Sequence, residues 1–274
     1  MLSINNLSYR YPRQKREALS GINLSIAEGK VSGLLGLNGV GKTTLLNLIG
    51  GLLLPKSGKI ELLGTDVRLR QARTLSETYL VPDEVSFPPM KAKEYANIMA
   101  PFYPRFSKET FDWTMHTFGL ETECKLTQLS LGEKKKVAIA MAMASETRLV
   151  LMDEPTNGLD IPSKTTFRQV IAKGMTEERT LIVSTHQLHD IEMIIDHVII
   201  MSNEGIKMCR DIASIAKEYT FGEVKGNEAP AEAIYTENGI GGLRAICRRR
   251  AEDPETDVDI EMLFCAATNN NVTF

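Results

Sequence analysis

Cysteine is scarce in this chain of 274 residues: there are four, Cys124, Cys209, Cys247 and Cys265, widely spread and with no Cys-x-x-Cys spacing. That excludes a disulfide framework and a cysteine zinc site, and reads as ordinary reduced cytosolic thiols. Long apolar runs are also missing. None approaches the roughly 18 to 20 residues needed to span a bilayer. The N-terminus has neither a basic start nor a long apolar core, so no secretory leader is expected. There is no excess of positive charge either. The 32 Lys and Arg stand against 35 Asp and Glu, a net charge of -3, so no nucleic-acid footprint is expected. The triplet Arg248 to Arg250 is followed at once by acids and reads as a solvated face. There is no internal repeat and no low-complexity tract. The composition, 43% hydrophobic and 24% charged, is that of a soluble globular protein. The length suits one large domain with a small appendage, or two lobes.

What is present begins with Gly36, Leu37, Asn38, Gly39, Val40, Gly41, Lys42, Thr43 and Thr44. This stretch fits the phosphate-cradling pattern Gly-x4-Gly-Lys-Ser/Thr. The apolar run Val31 to Leu35 leads in, and a helix expected over about 42 to 51 leads out. Glycines let backbone N–H groups turn toward phosphate oxygens, and the helix N-terminus adds unpaired donors. Lys42 is placed to reach the β- and γ-phosphates, and the Thr43 hydroxyl to ligate Mg²⁺.

A second apolar strand, Arg148 to Met152, ends in Asp153 and Glu154. Two acids at the C-terminal end of a buried strand lie beside the phosphate loop of a doubly wound sheet. Asp153 suits the Mg²⁺ hydration shell, and Glu154 suits orienting or deprotonating a water. A third strand, Thr180 to Ser184, leads to His186, whose imidazole can bond the γ-phosphate or the water.

Strands alternating with helices predict an α/β core with a mainly parallel sheet covered on both faces. Helices are expected over Glu133 to Ser145 and Ser163 to Lys173, and a short one near 187 to 194. Residues 2 to 35 read as short strands and turns, with Ile22 to Ile26 cleanly alternating. The stretch from about 88 to 126 reads as a mostly helical insertion. Its small hydrophobic core is expected to use Met99, Phe102, Phe106, Phe111, Trp113, Met115 and Phe118. After about residue 208 the pattern weakens. A short helix over Asp211 to Tyr219, turns near 222 to 227, 237 to 242 and 251 to 254, and a terminal helix over Asp257 to Ala266 are expected. Ile260, Leu263 and Phe264 are its expected inward face.

With these motifs in this order, residues 1 to 208 resemble an ATP-binding cassette ATPase, the nucleotide-binding subunit of an ABC transporter. The resemblance implies a P-loop NTPase core with an N-terminal antiparallel β subdomain and a helical subdomain matching about 88 to 126. Residues 209 to 274 are left as a small accessory segment. It implies that Tyr11 stacks on adenine, that Glu154 is the catalytic glutamate and His186 the switch histidine, and that Asp160 belongs to the coupling D-loop. Leu129, Ser130, Leu131, Gly132 and Glu133 match the signature loop, whose helix N-terminus covers the γ-phosphate held by another copy. A head-to-tail dimer is therefore implied, with ATP and Mg²⁺ at two composite sites. There are three departures. Leu131 replaces a signature glycine, Glu133 replaces the signature glutamine, with Lys134 to Lys136 placed to offset its charge, and Asp83 stands where the Q-loop glutamine is usual, with Mg²⁺ in reach only through water. The implied partner is a transmembrane permease docked near 83 to 126, with the cassette on the cytoplasmic face of the membrane. Val85 to Met90 can supply apolar contact to it or form a small structural loop. Ala100 to Ser107 resembles cassettes of bacterial ABC-2-type exporters. Two other readings stay open: a soluble cassette acting on nucleic acid or ribosomes, and a nucleotide-binding regulatory subunit with little hydrolysis.

Overall fold

Apolar residues at alternate positions of Leu2–Tyr9 (β1) and Leu19–Ile26 (β2) pair these strands antiparallel, with Leu2 opposite Ile26 and Ile4 opposite Leu24. The computed structural model describes residues 1–224, 230–239, 242–250 and 252–269. Val31–Leu35 (β3) is buried at every position, as a central parallel strand should be. It feeds the helix Lys42–Ile49 (α1). Ser57–Leu62 (β4) and Thr65–Asp66 (β5) complete a four-stranded antiparallel sheet in the order β2-β1-β4-β5.

A short helix, Ala72–Leu75 (α2), precedes Thr78–Val81 (β6). The helices Ala92–Met99 (α3), Lys108–Thr117 (α4) and Leu131–Ala144 (α5) follow. The chain then alternates through Leu149–Asp153 (β7), Ile161–Gly174 (α6), Thr180–Thr185 (β8), His197–Ser202 (β9) and Gly205–Asp211 (β10). The central sheet has the order β10-β9-β3-β8-β7-β6. It is parallel except for β10, which returns antiparallel on β9. The expected parallel α/β core is present, and β3, β7 and β8 end side by side at one edge.

Alternation along the buried strands splits the core in two. Leu149 and Leu151 of β7 face α1 and the antiparallel sheet. Val150 and Met152 face α5 and α6. The helical insertion packs on this second core through Phe111, Met115 and Phe118, all buried. Phe111 and Met115 contribute roughly 1.5–3 kcal/mol each. Phe102 does not join them. The 3₁₀ turn at Ala100–Phe102, with Pro101 inside it, leaves Phe102 64% exposed. Val85, Phe87 and Met90 are half-buried against the same core, so their apolar surface is spent largely within the chain.

The helix expected near 187 to 194 is only a 3₁₀ turn, Leu188–Asp190. The segment must lay Ile191 and Ile195 over Gly33, where a Cβ would stand 3.1 Å from Ile195 Cδ1, and re-enter β9 at once. The last part of the chain forms Ile212–Glu218 (α7), Tyr219–Glu223 (β11), Ala233–Gly239 (β12), Gly242–Arg248 (β13) and Ile260–Thr268 (α8). The strands make a separate antiparallel sheet, β11-β13-β12. The turns read from sequence fall partly on residues 225–229, 240–241 and 251, outside the described residues. Within the rest, strand pairing runs to Gly239 opposite Gly242. In α8 the buried face is Ile260, Met262, Leu263, Ala266 and Ala267. Phe264, expected inward, lies on the flank and is half-buried.

Candidate functional site

The loop after β3 owes its shape to glycine at two points. Gly39 has φ +83 and Gly41 has φ +105, a region that L side chains avoid. At Gly41 space is also closed: a Cβ would lie 2.6 Å from Leu19 Cδ2 and 2.9 Å from Ala18 O. Helix α1 starts from Gly41 with no side-chain cap and no acid in its first turn. Its first N–H groups and the positive end of its dipole are thus left for an external anion. Lys42 is 7% exposed and arches back over the loop, where Nζ donates to Gly36 O at 2.7 Å and Leu37 O at 3.3 Å. Burial lowers its pKa, against the nearby charges of Glu154 and Asp153, which raise it.

The carboxylates come from the adjacent strand ends. Asp153 closes β7, is 3% exposed and accepts a hydrogen bond from the Ser184 hydroxyl. Glu154 has φ +45, a strained left-handed conformation for a non-glycine residue. Its N–H donates to Ser184 O at 3.0 Å, which holds the turn against β8. His186 meets both oxygens of Glu154: Nδ1 lies 2.9 Å from Oε1, and its backbone N–H donates to Oε2 at 3.4 Å. The ring contact is a neutral hydrogen bond with the proton on Nδ1, or an ion pair when the ring is protonated. Glu154 is thereby a carboxylate with a fixed orientation, beside a group that can share its proton.

These groups converge. Tyr11, the loop from Asn38 to Thr44, Asp83, Asp153, Glu154 and His186 line one opening of about 550 Å³. Gly36 and Leu37 instead line, with Asn38 and His186, a neighbouring opening that reaches Phe264 and Cys265 of α8. Thr43, Asp83 and Asp153 share a smaller cavity of about 310 Å³. Among the described residues, no group of three His, Cys, Asp or Glu side chains can hold a metal by itself. A hydroxyl and a carboxylate facing a phosphate cradle fit Mg²⁺, which takes few protein ligands and keeps water and phosphate oxygens. Tyr11 is half-buried: its hydroxyl is 3.0 Å from Thr44 Oγ1 and its ring meets Tyr9 edge-on at 5.0 Å.

The signature residues lie apart, lining neither the large opening nor the small cavity. Leu129 is half-buried and Leu131 is 78% exposed. Gly132 is needed for close approach, since a Cβ there would stand 2.6 Å from Gly158 O. The start of α5, expected from the resemblance to cover a phosphate, is already capped within the chain. Ser130 and Glu133 form a reciprocal capping box: the Ser130 N–H and hydroxyl both bond Glu133 Oε2 at 2.8 Å, and Ser130 Oγ accepts from the Glu133 N–H at 3.3 Å. Those bonds hold the Glu133 carboxyl below the usual range. Asp160 caps α6, accepting from the Ser163 N–H at 2.9 Å. The lysine run does not act as one charge: Lys135 is 3% exposed and turned inward.

Two residues were missed from the sequence. Ser184, which holds Asp153 and the Glu154 main chain, looked like one more strand residue. Its only signal was a place two residues before His186. Lys135, whose Nζ lies 3.3 Å from Asp83 Oδ1 and 3.2 Å from Glu154 O, was hidden in a charge run.

The family model for ABC transporters matches residues 19–157, which hold the phosphate loop, Asp83, the signature stretch, Asp153 and Glu154. This chain belongs to the ABC transporter family. The ABC subunit is 32% identical over 203 residues to the bacitracin transport ATP-binding protein BcrA of Bacillus licheniformis, covering 72% of this chain and 65% of that protein. It is 31% identical to the ABC transporter ATP-binding protein NatA of Bacillus subtilis, covering 73% and 85%. It spans 10% of the length of the much longer mouse ATP-binding cassette sub-family A member 7. The dimeric post-hydrolysis structure of the ATP-binding cassette MJ0796 with ADP and Pi superposes with a TM-score of 0.68 at 25% identity, covering 77% of this chain and 98% of that one. The chain is thus the ATP-binding ATPase subunit of an ABC transport system. Tyr11 and His186 lie outside the matched span.

Proposed function

We propose that this ABC subunit hydrolyses ATP in the opening between α1 and the ends of β7 and β8, and that the energy drives export through a separate membrane permease. The observation that carries the reading is the Glu154–His186 pair at 2.9 Å, in the same opening as Lys42 and the uncapped N-terminus of α1. Lys42 exchanges the carbonyls of Gly36 and Leu37 for phosphate oxygens, a stronger charge-assisted contact. Loop N–H groups and the α1 dipole hold negative charge with little reorganisation. Glu154 orients the attacking water or takes its proton, and His186 keeps that carboxylate aimed. Thr43 and Asp153 hold Mg²⁺, which neutralises charge on the transferring phosphoryl group when bound. Tyr11 borders the adenine. Residues 1 to 208, with the helical part at about 88 to 126, act as the ATPase domain, and 209 to 274 as an accessory unit.

The name of the bacitracin transport relative supports a transport role, and the resemblance of Ala100 to Ser107 to cassettes of ABC-2-type exporters supports export as its direction. The dimeric MJ0796 cassette supports a pair of copies; in this reading they meet head to tail, with Leu129 to Glu133 and Asp160 of one reaching the site of the other. Among the described residues, no helix is long and apolar enough to cross a membrane. On this reading a separate membrane polypeptide receives the energy. The exposed residues Glu84, Ser86, Pro88 and Pro89 suit a docking surface at the cytoplasmic face of the membrane.

The test is Mg·ATP titration and steady-state phosphate release on the purified chain, with and without membrane proteins co-purified from detergent extracts. ATP binding, slow turnover alone and faster turnover with a co-purified integral membrane protein are expected. Co-purification with ribosomes or DNA and no membrane subunit would overturn the transport reading.

A further inference from the structure

Lys135 is a cation in a place that penalises cations. It stands in α5, two residues past Glu133, and is 3% exposed. Burying an ammonium is costly unless its donors are met. Here they are met by one small set of acceptors. Nζ donates to Asp83 O at 2.5 Å and Pro82 O at 3.3 Å, with Asp83 Oδ1 also at 3.3 Å and Glu154 O at 3.2 Å. Three donors thus serve four acceptors drawn from two separate loops. One loop follows β6 and carries Asp83. The other follows β7 and carries the strained Glu154. Burial lowers the pKa of Lys135, against the nearby carboxylates of Asp83, Asp153 and Glu154, which raise it. The Asp83 side chain is 47% exposed. It has water on one side and Lys135 on the other.

We propose that Lys135 is a positioning residue for hydrolysis: its ammonium ties the Asp83 loop and the Glu154 main chain to the signature helix, with Asp83 as its counter-ion. The proposal rests on the reading of Glu154 as the hydrolytic carboxylate. The φ +45 conformation of Glu154 is one that a loop relaxes unless neighbours over-determine it. The bond from Lys135 to the Glu154 carbonyl lies on the far side of that residue from the Ser184 bond to its N–H. The two together clamp both ends of the strained unit. Any movement of α5 is therefore passed to Glu154 and to the Asp83 loop at once. In this arrangement Asp83 balances a fixed positive charge, and a neutral pair of side chains can take over the whole device.

The experiment uses the full chain in four forms: parent, Lys135→Gln, Asp83→Asn and the double variant. Mg·ATP affinity and steady-state turnover are measured for each. Lys135→Gln leaves a carboxylate facing an amide near Asp153 and Glu154. Turnover is expected to fall about tenfold with the ATP KM within about twofold. Asp83→Asn leaves the buried ammonium without its counter-ion, and turnover falls as well. In the double variant two amides replace two charges, and turnover is expected to return to within about threefold of the parent. A Lys135→Gln chain that folds only together with Asp83→Asn supports the pairing equally. Parent-level turnover in Lys135→Gln overturns the proposal. So does a rise in KM that accounts for the whole loss, a double variant that falls by the product of the two singles, or one that stays unfolded. Failure of the underlying reading is distinguishable: Glu154→Gln would then turn over at the parent rate, whatever the Lys135 variants do.

Discussion

Two helix N-termini in this chain are each proposed to meet a phosphate, and they are built in opposite ways. Helix α1 starts at Gly41 with no side-chain cap and no acidic residue in its first turn. Helix α5 starts at Ser130 and is closed on itself by Glu133, which takes the Ser130 amide and hydroxyl. Both have the same backbone donors and the same dipole. The difference is whether the chain has already supplied an anion. An open N-terminus costs local stability and gains a ligand site. A capped one is more stable alone and must exchange its own carboxylate before it accepts another anion.

The largest effect is expected at the open end. Glu154→Gln keeps the shape of the carboxylate but cannot take a proton, so turnover should drop by about 10²- to 10⁴-fold while Mg·ATP binding persists. A phosphate-release assay beside a nucleotide titration measures both. Hydrolysis at the parent rate would remove Glu154 from the role of essential base. Lys42→Ala should come next. It removes the ammonium that lies over the loop carbonyls, and ATP affinity should weaken at least about 100-fold. Parent-like affinity would mean that the open N-terminus alone carries the phosphate.

At the closed end the effects are smaller. Glu133→Gln can keep the reciprocal cap, since glutamine serves the same box, but removes its negative charge. Concentration-dependent turnover, read as dimer-dependent, should rise about two- to fivefold, the scale of one charge at a helix terminus. An unchanged or lower rate would mean that Glu133 does not compete with phosphate.

The smallest effect is in pH. The Glu133 carboxyl is held below its ordinary value by its bonds to Ser130. Its contribution to stability is then present above the unfolded carboxylate pKa, about 4.3, and lost as pH falls through the lower folded value. Thermal melts of parent and Glu133→Gln should therefore differ at pH 7 and converge below about pH 4. A gap that stays constant would place the stabilisation elsewhere.

The two ends also differ in how far they can be read without coordinates. The loop from Gly36 to Thr44 is contiguous, and its residue types follow from φ and from the space around Gly41. Its place after an apolar strand was therefore plain. The cap between Ser130 and Glu133 spans only three residues, yet the same two positions also match the family's signature loop, so the residue types alone do not separate a local cap from a phosphate-covering loop. Phe102 and Phe264 were expected inside. Helical spacing does not say how wide a buried face is, and Pro101 turns the chain before Phe102 reaches the core.

The sequence by itself determined the parallel α/β core, the phosphate loop, and the identity of the acids and the histidine that follow two buried strands, because each of these rests on neighbours in the chain. Only the tertiary structure decided which groups hold one another. Glu154 is fixed by His186 and Ser184, from the strand beside it. Lys135 points inward to Asp83, 52 residues away in sequence. The helix at the end of the chain comes to border the opening behind the phosphate loop. Such contacts join segments whose separation leaves no periodic mark. They are chosen by where the sheet order places the strand ends and by the need of each buried charge to find a partner.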